Sequence, residues 1–228
     1  MSKLVFDVGY NKGEFTKTVF DEYPDATVVG VEANFSLPNL HSSNPQFHLV
    51  RKALSSGRES VDLYIDTVNT GITTTSEDFV TSSRFAKGSK NLPPNFGFWM
   101  PREVPATTLD HLISEYGVPD YIKIDVEGGE FEVLKGLTEK TPEVFFEWHE
   151  EIPDVIYNSV EHLRKLGYTK FGVIGYFDEG DVFEKVTYSD KGDPHMVFPE
   201  EYFSWSDLDM NRLIDKDRRV NYGMLHAR

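Results

Sequence analysis

Short apolar runs alternate with amphipathic stretches along the chain, which is the pattern of repeated βα units. Residues 4–8 form a continuous apolar run that ends in a polar turn, as expected of a buried parallel strand. Residues 14–22 have helical spacing and stop before Pro24. Further strands are predicted over residues 27–32, 47–50, 61–65, 121–126, 144–147, 169–175 and 182–187, and further helices over 109–116, 129–137 and 152–166.

This alternation predicts an α/β fold with a doubly wound, mostly parallel sheet and helices on both faces. In such sheets, ligands bind in the crevice beyond the carboxyl ends of the strands. The chain of 228 residues is long enough for one sizeable domain, so we predict a single domain over residues 1–228.

Two segments fit the alternation poorly. Residues 79–104 are rich in aromatic residues and carry adjacent prolines without a regular period, so we interpret them as a lid or binding loop. A flexible insertion or an oligomer contact is the alternative for this segment. Residues 199–228 mix aromatic and charged positions, and we interpret them as a C-terminal extension packed on the domain.

Composition removes several classes of protein. The chain has no cysteine, which excludes disulfide scaffolds, thiolate metal sites and cysteine nucleophiles, and it has no apolar run long enough to cross a membrane. The first residues lack the features of a signal peptide, so we expect a cytoplasmic protein. The net charge of −15 argues against nucleic acid and anionic membranes as partners. It is compatible with a cationic ligand, although many soluble enzymes are acidic for solubility alone.

A glycine-marked turn follows the first strand. The motif is Gly9-x-Asn11-x-Gly13, which lets a ligand approach the backbone and the helix N-terminus beyond it. It differs from the dinucleotide motif Gly-x-Gly-x-x-Gly, because the third glycine that packs the helix below a pyrophosphate is missing. A plain turn is the alternative explanation of the motif.

An acidic residue ends the second strand. Glu32 stands 23 positions after Gly9, where the neighbouring strand end should lie beside the glycine turn. A carboxylate there can accept hydrogen bonds from both ribose hydroxyls of an adenosine ligand. Together, the strand, turn, helix and terminal acid indicate a cofactor that contains a nucleoside.

Further acids follow the strand over 121–126. Asp125 and Glu127 fall at its carboxyl end, where an acid on an apolar buried strand needs a functional reason. Glu130 and Glu132 are expected to stabilise a helix N-terminus instead. A divalent metal bound by Asp125, Glu127 and Glu147 is an alternative that we do not favour, since carboxylates at a strand edge do not by themselves specify a metal.

A histidine ends the strand that follows. His149 is the best placed of the 7 histidines to act as a base, because imidazole titrates near neutral pH. A surface histidine among acids is the alternative. Asp125, Glu127 and His149 are therefore the candidate catalytic residues.

Four segments together resemble the FkbM family of S-adenosylmethionine-dependent methyltransferases. They occur in order across residues 4–150, and the Ile-Asp-Val-Glu-Gly run after Thr-Thr-Leu-Asp is the most specific of them. The segments are residues 6–13 (FDVGYNKG), 31–34 (VEAN), 106–112 (ATTLDHL) and 122–136 (IKIDVEGGEFEVLKG).

The resemblance implies a seven-stranded class I methyltransferase fold and S-adenosylmethionine as the cofactor. It also implies that residues 69–73 form the family's Asn-x-Gly loop near the active site. The residues that it places around the cofactor are Asp7, Gly9, Asn11 and Gly13 at the methionine end, Glu32 and Asn34 at the adenosine end, and Asp125.

The resulting hypothesis is a methyltransferase that methylates a hydroxyl of a sugar or other small molecule. Such a transfer needs alignment of the reacting atoms and a base for the hydroxyl proton. One alternative is a nicotinamide-dependent oxidoreductase, which the glycine motif disfavours. Another is a non-catalytic cofactor-binding or interaction protein. A homo-oligomer is possible under any of these hypotheses.

Overall fold

The computed structural model describes residues 2–66, 68–86, 98–177 and 220–228. Within these residues the chain forms the strands and helices predicted up to residue 177 in order, together with strands over residues 53–54, 99–107 and 220–227 and a helix over residues 77–82, which the sequence does not predict. The strands are β1 (Leu4–Val8), β2 (Thr27–Val31), β3 (Phe47–Val50), β4 (Ala53–Leu54), β5 (Ser60–Asp66), β6 (Trp99–Thr107), β7 (Tyr121–Ile124), β8 (Val144–His149), β9 (Phe171–Phe177) and β10 (Val220–Ala227). The helices are α1 (Glu14–Glu22), α2 (Glu77–Ser82), α3 (Leu109–Tyr116), α4 (Glu130–Leu134) and α5 (Pro153–Lys165).

The main sheet has seven strands in the order β3-β2-β1-β7-β8-β10-β9. Neighbouring strands are parallel except that β10 runs antiparallel to both β8 and β9. The predicted mostly parallel, seven-stranded α/β fold is therefore confirmed. The order of the strands reverses between β1 and β7, and this reversal opens a crevice at their carboxyl ends.

Alternation along the strands divides the core between the two faces of the sheet. On β1, Phe6 and Val8 join an apolar layer with residues of α3, α4 and α5, whereas Val5 joins a second layer with residues of α1. Because side chains alternate, Asp7 must point towards α1, as Val5 does. Lys123 occupies the equivalent position on the neighbouring strand β7, so the two polar residues meet inside the sheet.

Helix termini follow the capping signals of the sequence. The α1 helix begins directly after Gly13, whose φ is 75°, and it covers the predicted residues 14–22. Thr108 caps α3, because its side chain accepts a hydrogen bond from the backbone N–H of His111. Gly117, at φ 100°, ends the same helix.

Within the described residues, none of the helices combines the length and apolar character that a membrane crossing requires.

A second, three-stranded sheet forms in the order β4-β6-β5 and takes up part of the predicted lid segment. The sequence places residues 79–104 in one irregular loop, but residues 99–104 belong to β6, which pairs antiparallel with β5. Phe79 lies in α2 and is fully buried. The sequence does not predict this strand because Pro101 and Pro105 are unusual within strands. Most of its residues are also exposed, so apolar and polar positions do not alternate clearly. Residues 87–97 of the segment lie outside the described residues.

The end of the chain forms an internal strand of the main sheet. Residues 220–227 fall in the segment that the sequence assigns to a C-terminal extension, yet β10 lies between β8 and β9. Alternation is hard to recognise in this strand because it is buried on both faces, as Met224 and Leu225 show. The predicted strand over 182–187 and the rest of the extension lie outside the described residues.

Strand β10 buries a histidine whose titration should affect stability. His226 is 1% exposed and packs edge-on against Phe145. Burial lowers the pKa of His226 to about 4, and the charge of Arg228 acts in the same direction. Glu143 Oε2 lies 3.4 Å from His226 Nε2 and would favour protonation, but Glu143 is 37% exposed and its charge is screened by solvent. We therefore regard burial as the dominant effect.

We predict that His226 makes the fold sensitive to acid. Its folded pKa lies below the unfolded value of about 6.5, so the unfolded state binds the proton first as the pH falls. Stability should drop by about 2 kcal/mol between pH 7 and pH 5 from this residue alone. The measurement is urea unfolding of the native chain and of His226→Gln at both pH values. The variant should lose less stability, and the exposed His48→Gln serves as the control. An equal loss in all three proteins would contradict the assignment.

Candidate active site

The turn after β1 brings the backbone of β1 against that of β7. Gly9 has a φ of 80°, and its N–H donates to the carbonyl oxygen of Val31 at 3.0 Å. A Cβ at Gly9 would overlap the carbonyl oxygen of Asp125, so no other residue fits there without a shift of the backbone. Asn11 is also left-handed, with a φ of 47°, a conformation that asparagine tolerates better than most residues. Steric contact thus explains the first glycine of the motif.

A cavity of about 300 Å³ opens beyond this turn. It lies at the carboxyl ends of β1, β2 and β7, with the small sheet and residues 69–75 on its other side. Among the predicted site residues, those that line it are Gly9, Asn11, Glu32, Asp125 and Glu127. The structure therefore brings together five of the residues that the sequence singles out.

Glu32 stands at the cavity wall with its carboxylate held by the backbone. One oxygen accepts from the N–H of Asn11 at 2.8 Å and the other from the N–H of Asn34 at 2.7 Å. Burial raises the pKa of Glu32, while these two hydrogen bonds act in the opposite direction. Each oxygen keeps a second lone pair, so the carboxylate can still accept from hydroxyls of a ligand.

Asn11 offers a second acceptor at the same wall. Its side-chain Oδ1 is buried and has no hydrogen-bond partner among the described residues. An unsatisfied buried oxygen is costly, and a ligand donor would remove that cost. The position fits a cationic or N–H donor of the bound molecule.

Asp7 does not line the cavity. It is 0% exposed, accepts from the hydroxyl of Thr16 at 2.6 Å, and lies 3.3 Å from Lys123 Nζ. The same ammonium group donates to the carbonyl oxygen of Gly9 at 2.9 Å and lies 3.5 Å from Asp125 Oδ2. The structure therefore gives Asp7 a positioning role: it holds Lys123, which in turn fixes the glycine turn.

Gly13 and Asn34 also lie behind the cavity wall. Gly13 begins α1, and a Cβ there would lie 2.5 Å from the ring of Tyr10. Asn34 is 1% exposed, and the structure uses its backbone N–H to orient Glu32. Neither residue is among those that line the cavity, so their predicted place around a cofactor stays a prediction.

The turn after β7 presents Asp125 and Glu127 to the cavity. Glu127 adopts a φ of 56°, and its carbonyl oxygen accepts from the hydroxyl of Thr74 at 2.7 Å. Glu130 fixes the turn from inside, because one of its carboxylate oxygens accepts from the N–H groups of Val126 and Gly128 at 3.1 Å each. The sequence assigned Glu130 to the helix dipole, whereas its main contacts are with this turn.

His149 lies behind Glu127 and not in the cavity lining. Its Nε2 is 3.1 Å from Glu147 Oε2 and 3.5 Å from Glu127 Oε2, and the ring is 3% exposed. Burial and the charge of Glu147 raise the pKa of Glu127 well above its ordinary value. Burial, followed by the charges of Asp125 and Glu130, raises the pKa of Glu147 in the same way. The three side chains form a buried polar group against one wall of the cavity.

The loop over residues 69–73 also lies where the resemblance places it. Asn69 Oδ1 accepts from the N–H of Gly71 at 3.1 Å, which shapes a short 3₁₀ turn over Thr70–Ile72. All five residues of the loop line the cavity. Backbone and hydroxyl groups of this loop thus face the ligand volume opposite the glycine turn.

Sequence reasoning missed Lys123 as a member of the site. Its position on a buried, otherwise apolar strand was the available signal, because a buried lysine requires a paired acid. The sequence indicates Glu147 only as a possible metal ligand and gives no sign that it contacts His149. Their pairing follows from alternate positions on β8, which place both side chains on the same face.

A comparison with known protein families decides the identity of the fold. Residues 7–170 match the family model described as methyltransferase FkbM domain. The chain belongs to the FkbM methyltransferase family. It is therefore an S-adenosylmethionine-dependent methyltransferase, as the sequence predicts. No curated protein matches the chain.

A solved structure of an FkbM methyltransferase has a similar fold. Methyltransferase FkbM from Methylobacillus flagellatus KT superimposes with a TM-score of 0.51 at 12% identity, covering 100% of this chain and 44% of that one. Precorrin-6y C5,15-methyltransferase from Geobacter metallireducens GS-15 has a TM-score of 0.43 at 10% identity, covering 100% of this chain and 79% of that one. At 12% identity the likeness to the Methylobacillus flagellatus structure shows the fold alone.

The residues of the cavity suit S-adenosylmethionine. The unpartnered Oδ1 of Asn11 offers an acceptor for an ammonium group, and the anchored carboxylate of Glu32 offers acceptors for ribose hydroxyls. The close approach of the backbone at Gly9 leaves the space beyond it open. These oxygens can accept the hydrogen bonds that the ammonium group and the ribose hydroxyls of the cofactor would donate.

We predict that the buried pair of Lys123 and Asp7 stabilises the site. Lys123→Met should lower the free energy of unfolding by about 3–5 kcal/mol, because it leaves Asp7 charged, buried and without its cation. Adding Asp7→Asn to the same chain should recover most of the loss. Urea unfolding at pH 7 measures both effects. Lys17→Met, which removes an exposed pair with Asp21, is the control and should cost less than about 1 kcal/mol. If Lys123→Met were as mild as this control, the pair would not stabilise the fold.

Proposed function

We propose that this methyltransferase transfers the methyl group of S-adenosylmethionine to a hydroxyl of a sugar or other small molecule. The observation that supports it is that Asp125 and Glu127 line the same cavity as Glu32. A hydroxyl acceptor must lose a proton during the transfer, and carboxylates at the cavity wall can take it up. The acceptor would therefore enter beside these two acids.

The cofactor would lie between the glycine turn and the end of β2. Glu32 would accept hydrogen bonds from the ribose, and Asn11 would accept one from the methionine ammonium group. Gly9 leaves room at the turn, while Asp7, Gly13 and Asn34 support the wall from behind. When bound, S-adenosylmethionine supplies a methyl group on a sulfonium centre, which an acceptor oxygen can displace in line.

Positioning would account for much of the rate. Orientation of bound reactants can supply roughly 7–11 kcal/mol of a barrier. The acceptor proton would pass to the carboxylate pair formed by Asp125 and Glu127. His149 does not face the cavity, so its role would be to position Glu127 through the 3.5 Å contact between Nε2 and Oε2.

Membership of the FkbM family favours this proposal over the nicotinamide-dependent alternative. Family membership also argues against the non-catalytic alternative, and turnover tests that alternative directly. A lid within residues 79–104, a homo-oligomer, a cytoplasmic location and the exclusion of nucleic acid stay predictions from the sequence.

We expect Glu32 to determine the affinity for the cofactor. Glu32→Gln keeps the shape of the side chain but removes the charge, so the hydrogen bonds to the ribose should weaken by about 1.5–3 kcal/mol. That corresponds to about a 10- to 150-fold rise in the Kd for S-adenosylmethionine, measured by calorimetry. Glu22→Gln makes the same charge change on the exposed end of α1 and should leave the Kd unchanged. NAD and NADP should not bind to any of these proteins. Equal affinity of Glu32→Gln and the native chain would show that Glu32 does not contact the cofactor.

We expect methyl transfer to oxygen. A panel of sugars and other small hydroxyl compounds is incubated with the native chain and methyl-labelled S-adenosylmethionine, and the products are identified by mass spectrometry. The matched control for each compound is its fully O-methylated form, in which every hydroxyl is already blocked and which should accept no label. Label on amines alone would replace the hydroxyl acceptor by a nitrogen acceptor. Cofactor binding without transfer to any compound would favour the non-catalytic alternative.

A further inference from the structure

Three potential metal ligands converge behind the cavity wall. Glu127 follows β7, while Glu147 and His149 stand at alternate positions near the end of β8. His149 Nε2 lies 3.1 Å from Glu147 Oε2 and 3.5 Å from Glu127 Oε2, and one ligand atom from each residue lies within 4.8 Å of the others. Adjacent ligands of a six-coordinate divalent ion are separated by about 3 Å when the metal–ligand distances are near 2.1 Å. The two spacings that involve His149 are therefore close to those of adjacent ligands of such an ion, and the third lies within 4.8 Å.

The surrounding structure holds these ligands in place. The ring of His149 packs between Phe79, with centroids 5.1 Å apart, and Tyr222, with centroids 6.3 Å apart. The left-handed backbone of Glu127 is fixed by Thr74, whose hydroxyl donates to the Glu127 carbonyl oxygen at 2.7 Å. The orientation of both ligands thus depends on contacts outside the group.

The charge around the group calls for a cation. The Glu147 and Glu127 side chains are 10% and 16% exposed, and Glu130 beside them is fully buried. One oxygen of Glu130 is bonded to the turn, but the other has no hydrogen-bond partner among the described residues. The charge of Glu130 acts on both Glu127 and Glu147, so this carboxylate belongs to the same electrostatic group. Like charges buried together are unfavourable unless protons or a cation neutralise them.

The charge of the lysine next to the group acts on Glu147, but it is shared with other acids. Lys123 Nζ lies 3.3 Å from Asp7 Oδ1 and 3.5 Å from Asp125 Oδ2, and it donates to the carbonyl oxygen of Gly9. Its charge is thus shared with two other acids. Among the described residues, the recorded ion pairs of Glu127 and Glu147 are with His149.

We propose that Glu127, Glu147 and His149 bind one divalent metal ion. Two carboxylate oxygens and one imidazole nitrogen match Mn²⁺ better than Mg²⁺, which prefers oxygen ligands throughout. Because Glu127 lines the cavity while Glu147 and His149 lie behind it, the ion would lie at the cavity wall next to the acceptor. The inference deepens the proposed function and rests on it only for the acceptor: the ion would fix the acceptor oxygen at the wall of the cavity. The sequence raised Asp125, Glu127 and Glu147 as an oxygen set, and the structure replaces Asp125 by His149.

Binding of Mn²⁺ to the full chain tests the site without turnover. The purified chain is treated with a chelator, dialysed and titrated with Mn²⁺, and the free ion is followed by electron paramagnetic resonance. We expect one equivalent to bind and the electron spin echo of the bound ion to show nitrogen modulation from His149. Absence of binding, or bound Mn²⁺ without nitrogen modulation, would overturn the proposal. Both results come from the native chain and need no variant.

Variants then assign the ligands. Glu147→Gln and His149→Gln should each weaken Mn²⁺ binding by about tenfold or more. Glu132→Gln removes an acid from the neighbouring helix α4, outside the group, and should leave binding unchanged. Urea unfolding of the same proteins without metal shows that each variant is folded, and their affinity for S-adenosylmethionine is measured alongside. If the two ligand variants bound Mn²⁺ as well as the control does, the ion would lie elsewhere and the proposal would fall.

The two measurements also separate this inference from the proposed function. A chain that binds Mn²⁺ at His149 but not S-adenosylmethionine would contradict the proposed function and leave the metal site standing. A chain that binds S-adenosylmethionine but not Mn²⁺ would contradict the metal site and leave the proposed function standing.

Discussion

The site depends on one buried ammonium group. Lys123 joins two turns that are distant in sequence: it contacts Asp7 and the carbonyl oxygen of Gly9 at the end of β1, and Asp125 after its own strand β7. Without this cation, Asp7 would be an unpaired charge inside the sheet, a condition that proteins avoid. With it, the glycine turn and the acidic turn keep a fixed separation, and the cavity lies between them. The pair therefore stabilises the sheet at the point where its strand order reverses.

A second constraint acts on the acidic turn itself. Glu127 adopts a left-handed backbone conformation that costs about 1–2 kcal/mol for an ordinary residue, and it is retained because Glu130 and Thr74 bond the backbone around it. The result is a carboxylate aimed at the cavity on one side and at His149 on the other. Strain and buried charge coincide at this turn, and such a combination is typical of functional sites.

Local patterns in the sequence predicted much of this arrangement. The apolar run of β1, the glycine turn and the start of α1 are encoded by neighbouring residues, and the structure has them at the expected positions. Glu32 could be located because the strand that carries it is adjacent in sequence to the turn. Five of the predicted residues meet in one cavity since parallel strands end at a common edge.

The remaining features depend on contacts between distant segments. Asp7 and Lys123 are 116 positions apart, and nothing local in either strand reveals that they face each other. Strand β6 contains two prolines and is mostly exposed, so its residues show no clear alternation that would predict its pairing with β5. Strand β10 is buried on both faces and follows a long segment outside the described residues, which separates it from its partners β8 and β9. In each case the deciding information is the pairing of strands, which a pattern along one strand does not contain.

The acidic residues of the chain differ in how far their surroundings orient or bury them. A net charge of −15 spread over a surface is screened within about 10 Å at ordinary salt and selects no ligand. Glu32 is different, because two backbone N–H groups orient its carboxylate and hold it ready for hydroxyl donors. The acids around His149 are different again, because burial leaves them less hydrated and makes their charge effective over a few ångströms. One edge of the sheet thus carries two kinds of carboxylate: Glu32, anchored by backbone N–H groups after β2, and the buried acids around His149 at the ends of β7 and β8. Their separation follows from which strand each acid terminates.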